Sequence, residues 1–253
     1  MSTPGDDPFG AAAALDGVPS ALAAARDGID ALLRDRGLRR TTPAVTAESL
    51  LRGAVASAQL EGSESTLDDV RRGAGDGYAR AAVRLNTGLL ALMPVLVRSP
   101  LEAFARMHTL AAAGLAPEAD LGRPRPDAAA ALVLRRLATR LLAPTTAPGI
   151  AVAALAHAEL AVAAPFGVAN DVVARALERL LLVVRGVDPA SVTVPEAGHR
   201  QMGTRYRDAL AAYRTGDAPG LRTWLVYSCA ALSTGVAESP LRAEIVRPTS
   251  TPT

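Results

Sequence analysis

Two overlapping stretches decide how this chain folds: 149–169, GIAVAALAHAELAVAAPFGVA, and 164–175, APFGVANDVVAR. The first is the most apolar run in the chain, but His157 and Glu159 interrupt it and Pro165 and Gly167 break it. A membrane span wants about 20 uninterrupted apolar residues, so the run reads as a buried core helix ending near residue 163. After the break, 170–185 resumes helical spacing. The reading is therefore helix, tight loop, helix, with the helices deep in a core.

Working outward, the pattern stays helical. Leu22, Ile29, Leu32 and Leu33 share one helical face, and further helices are expected over 46–60, 127–142, 196–214 and 220–238. Ser99-Pro100-Leu101-Glu102 has the form of a capped helix start and predicts a helix running to about residue 114. Breakers fall at 122–126, 144–149 and 186–189, and only 191–194 could be a short strand. The fold class is all-α. The expected organisation is a disordered tail over 1–15, an N-terminal helical extension over 16–44, a main helical domain over 45–245 and a disordered tail over 246–253.

Composition excludes several chemistries. All 27 Lys+Arg residues of this 253-residue chain are arginine. That removes the lysine of a P-loop and of a Schiff-base enzyme. One cysteine, Cys229, excludes an intrachain disulfide and multi-cysteine metal sites, and the apolar series Leu225, Val226, Cys229, Leu232 makes it a small core residue. The histidines are His108, His157 and His199. The first two sit in apolar helical runs and read as structural, His157 with a hydrogen-bond partner. His199, beside Arg200, reads as a surface or loop residue. Trp224 and Tyr227 are expected in the core. A net charge of +2 without clustered cations gives no sign of nucleic-acid binding. Arg39-Arg40, Arg71-Arg72 and Arg135-Arg136 read as solvated helix faces, and Gly73 to Gly77 as a helix–helix connection, since no strand precedes it. The arginine- and alanine-rich usage suits a high-GC genome of actinobacterial type. The acidic N-terminus lacks a secretory pattern, which predicts a cytoplasmic protein.

Three separated segments together resemble the Fic family (Fido fold), whose active members transfer nucleotide monophosphates, typically AMP, onto protein hydroxyls. Ser57-Ala58-Gln59-Leu60-Glu61-Gly62 is similar to the family's inhibitory-helix pattern S/T-x-x-x-E-G/N, and Ser65–Val70 to the stretch that follows it. Met107-His108 and Gly122-Arg123-Pro124-Arg125 sit where the family has its L-H segment and G-x-F-R turn. Residues 164–175 fall where the motif H-P-F-x-D/E-G-N-G-R-x-x-R belongs, and Arg205–Leu210, Gly216-Asp217 and Trp224 resemble the closing segment. The resemblance spans roughly 45–239 and implies a Fic-like helical bundle.

The resemblance also implies what is missing. The motif histidine, the family's general base, is Ala164 here, and a methyl group accepts no proton. The Mg²⁺-holding carboxylate is Val168, the two loop glycines are Ala169 and Asp171, and the first motif arginine is Val172. Pro165, Phe166, Asn170 and Arg175 remain as the motif remnant, and Ser57, Glu61 and Gly62 as the inhibitory-helix-like set. Asp171, in a helical first turn, would place a carboxylate where a phosphate would dock. His157 cannot replace the base, lying seven residues and about 10.5 Å of helix axis before Ala164. Glu61 is expected to pair with Arg175, as a regulatory latch or as a buried structural pair. The functional expectation is a binding or regulatory pseudoenzyme without AMP transfer. The alternatives are a divergent Fic-type protein-modifying transferase or a toxin–antitoxin-like module. No catalytic residue, metal or cofactor is expected, and ATP with Mg²⁺ would enter only with residual activity. The expected partner is an unidentified protein, with neither nucleic acid nor membrane, and a homodimer is permitted.

Overall fold

The computed structural model describes residues 7–36 and 42–243. The helices are α1 (Pro8–Ala13), α2 (Val18–Arg36), α3 (Pro43–Leu60), α4 (Leu67–Arg71), α5 (Gly77–Leu89), α6 (Met93–Arg98), α7 (Pro100–Ala112), α8 (Ala128–Leu142), α9 (Gly149–Ala163), α10 (Asn170–Val184), α11 (Pro195–Gln201), α12 (Thr204–Tyr213), α13 (Ala218–Ala237) and α14 (Pro240–Ala243). There is no strand among the described residues, so the all-α expectation holds and the segment 191–194 is loop.

The centre of the bundle is the α9–α10 pair. Every α10 residue from Val172 to Val183 is buried, as is α9 from Ile150 to Ala158. Around them pack α3, α5, α7, α11 and α13. With so few aromatics the core is aliphatic, built from Ala, Leu and Val, and small side chains let the helices approach closely. At Gly198 and Gly235 an added Cβ would run into backbone across the α11–α13 contact, so glycine sets that spacing. The apolar run Gly77–Arg98 has the length and composition of a membrane span. Here it is divided by a 3₁₀ turn at Leu90–Leu92, and α5 turns Ala79, Ala82, Leu85 and Leu89 into the core.

Four expectations change. The segment placed in a disordered tail contains α1: Asp7 caps it by accepting from Gly10 N–H at 2.9 Å, and Phe9 is only 2% exposed. Arg140 lies over the Phe9 ring, 5.0 Å from its centroid. One buried aromatic outweighs a loop-like Pro, Gly and Asp composition. Residues 1–6 and 246–253, and with them most of the expected tails, lie outside the described residues, as do Arg39 and Arg40. The helix expected over 196–214 is two, α11 and α12, parted where Gly203 takes φ 59°. Ser99 precedes α7 but makes no side-chain cap, leaving Pro100 to start the helix by its fixed φ. Finally, His199 is not on the surface: it is 1% exposed, because α11 folds against α13.

Candidate functional site

The loop between α9 and α10 is the pivot of the site. Ala164 ends α9 in the left-handed region (φ 43°), and Ala169 precedes α10 there too (φ 58°). A Cβ in that region costs about 1–2 kcal/mol, so alanine at 169 holds a backbone geometry that glycine adopts more readily. Asn170 holds the loop closed: its Oδ1 accepts from Phe166 N–H at 2.8 Å and its Nδ2 donates to the Phe166 carbonyl at 2.7 Å. Phe166 is 1% exposed and stacks on His108, with ring centroids 4.1 Å apart. The 122–125 turn joins them: Gly122 N–H donates to His108 Nδ1 at 3.0 Å, and Arg125 N–H to the Pro165 carbonyl at 2.8 Å. Three segments far apart in sequence thus meet around one loop.

Burial depresses the His108 pKa, opposed by the Val168 backbone, and with Nδ1 accepting from Gly122, the proton of the neutral ring sits on Nε2. Beside this ring a cleft of about 220 Å³ opens, lined by Leu115, Asp120, Arg123, Arg125 and Val168.

The second half of the site is Arg175, 1% exposed. Its Nε donates to Ser57 Oγ at 2.9 Å, and one terminal nitrogen to the Ser57 carbonyl at 3.1 Å and Glu61 Oε1 at 2.6 Å. The other faces the Tyr206 hydroxyl at 3.4 Å. The expected Glu61–Arg175 pair is therefore present, reinforced by Ser57. Glu61 is the C-cap residue just after α3, and Gly62 follows at φ 90°, in the left-handed region that favours glycine. Asp171 lies in the first turn of α10 as expected; burial pushes its carboxyl up, opposed by nearby Arg175 and assisted by Glu61.

Sequence reasoning missed the polar spine that continues from Arg175 along α10. The Tyr206 hydroxyl meets His157 Nε2 at 2.8 Å, and His157 Nδ1 meets Glu178 Oε2 at 2.6 Å. The same oxygen meets His199 Nε2 at 2.8 Å, and His199 Nδ1 meets the Tyr227 hydroxyl at 3.0 Å. One turn on, Arg179 pairs with Glu196 at 2.6 and 2.9 Å and donates to Ser191 Oγ and the Thr193 carbonyl. Gly53 lies against that pair, with room for no Cβ. Burial pulls the His157 pKa down to about 4. The Glu178 carboxyl is held well below its usual range, because the two imidazoles outweigh the upward push of burial. His157 is thus the expected core histidine with partners. Burial lifts the Cys229 thiol to about 12, which keeps it inert.

His157, Glu178 and His199 have the composition of a metal site. Their contacts of 2.6 and 2.8 Å are hydrogen-bond lengths. A tetrahedral ion with bonds of about 2.0–2.1 Å holds its ligand atoms about 3.3 Å apart. The cluster is a hydrogen-bonded triad.

Known structures share this arrangement of helices. A Fic family protein from Desulfovibrio desulfuricans G20 matches with a TM-score of 0.69 at 18% identity, over 91% of this chain and 76% of that one. Fic-1 from C. elegans matches with a TM-score of 0.68 at 18% identity, over 87% of this chain and 70% of that one. No family model and no curated protein matches the sequence. The fold is that of Fic proteins.

Proposed function

We propose that this Fic-fold protein is a binding or regulatory pseudoenzyme that transfers no nucleotide. The observation that carries the reading is the state of Arg175. The one motif arginine left is sealed from solvent, with its guanidinium engaged by Ser57, Glu61 and Tyr206. A phosphate would have to displace a carboxylate from it. In the loop before α10, the position resembling the general base carries the methyl of Ala164, and the position resembling the metal ligand carries Val168. Neither accepts a proton or binds a hard cation. Asp171 adds negative charge at the α10 N-terminus, where an anion would otherwise be favoured. The Glu61–Arg175 pair then serves to join α3 to α10. Calorimetric titration with ATP and Mg²⁺ tests the reading. The expected result is no saturable heat. A Kd below about 1 mM would overturn it.

A further inference from the structure

A second cleft, of about 450 Å³, lies where α2 meets the start of α9 and the end of α10. That volume is within the usual range for small-molecule sites, which favour such junctions. Its walls are apolar, formed by Leu22 and Ala23 of α2, Ile150 of α9 and Val187. Two arginines, Arg26 and Arg185, stand on it, and no carboxylate lines it. Arg26 is engaged by Asp30 at 2.9 Å. Arg185 has no carboxylate within ion-pair distance among the described residues and is half-buried, so its charge is available to the cleft. The first turn of α9, which begins here at Gly149, has no side-chain cap, and its free N–H groups add positive potential at the same end.

An apolar wall with a single uncompensated cation suits an amphipathic ligand of one negative charge. A phosphate monoester would bring a second charge, and the second arginine on the cleft, Arg26, is already engaged by Asp30. We propose that this cleft binds a medium-chain monocarboxylate. Its carboxylate is held by the Arg185 fork and its chain, of about six to ten carbons, lies against Leu22, Ala23 and Ile150. Bound there, it would tie α2 to the α9–α10 pair.

The test is calorimetric titration and thermal melting with octanoate, octanol and octylamine, on the full chain and on Arg185→Glu and Ala23→Trp, each checked for native circular dichroism. The expected results are saturable octanoate binding at one per chain, a higher melting temperature, and about tenfold or greater loss of affinity in both variants. Arg185→Gln separates lost charge from added repulsion and should lose most of the same affinity. Octanol binding as well as octanoate, binding unchanged in the variants, or no saturable binding would each overturn the proposal. None of these readouts involves a nucleotide.

Discussion

Replacing Glu61 by glycine strikes the contact on which the proposed role turns. Breaking a buried ion pair from one side costs about 3–5 kcal/mol, because the remaining charge stays desolvated. Two features lower that figure here. The Glu61 side chain is 18% exposed, so water can enter where it stood. Arg175 also keeps Ser57 Oγ, the Ser57 carbonyl and Tyr206 as acceptors. A hydrogen bond to a charged group is worth about 1.5–3 kcal/mol, so the expected loss is about 2 kcal/mol. Helix propensity does not confound it, since Glu61 is the residue after α3 and glycine is well tolerated there. For a chain of this size the melting temperature should fall by about 4–8 °C. Glu61→Gln, which keeps an acceptor, should lose less than half as much. Thermal and guanidinium unfolding, each with and without ATP and Mg²⁺, read out both arms. A melting temperature within about 1 °C of wild type would refute the structural role of the pair. Stabilisation of Glu61→Gly by ATP would show instead that the pair is a latch over a working site.

Three further outcomes follow from the same geometry. His157 is neutral in the fold, with its pKa at about 4 against 6.5 unperturbed. Its contribution is therefore complete above about pH 6.5 and is lost as pH falls towards 4, so guanidinium midpoints should be flat near neutrality and drop below it, less steeply in His157→Gln. Ala169→Gly relieves a left-handed alanine (φ 58°) and should raise stability by about 0.5–1 kcal/mol, measurable by chemical denaturation. Phe9→Ala removes a side chain 2% exposed and should cost about 3 kcal/mol by the same assay, which a disordered N-terminus would not.

The helices were legible because apolar residues recur at helical spacing, and the loop because Pro165 and Gly167 break an apolar run. The meeting of Ser57, Glu61 and Arg175, 114 to 118 residues apart, was legible only through the family resemblance, since spacing alone does not join distant segments. The spine was harder. Glu178 and Arg179, adjacent charges inside the apolar run 170–185, were the available signal, because such a helix has no solvent face to give them. Their partners His199, Glu196 and Ser49 lie on other helices, and nothing local in sequence points to them. His199 reads as a surface residue from the charged Arg200 beside it. Gly198 is in fact what brings α11 onto α13 and buries the ring.

The most direct test of the account is transfer itself. Purified protein is incubated with lysate, labelled ATP and Mg²⁺, beside Asn170→Ala, and labelled protein is counted. The account predicts no incorporation above background in either sample. Mg²⁺-dependent labelling by the wild type that disappears in Asn170→Ala would contradict it.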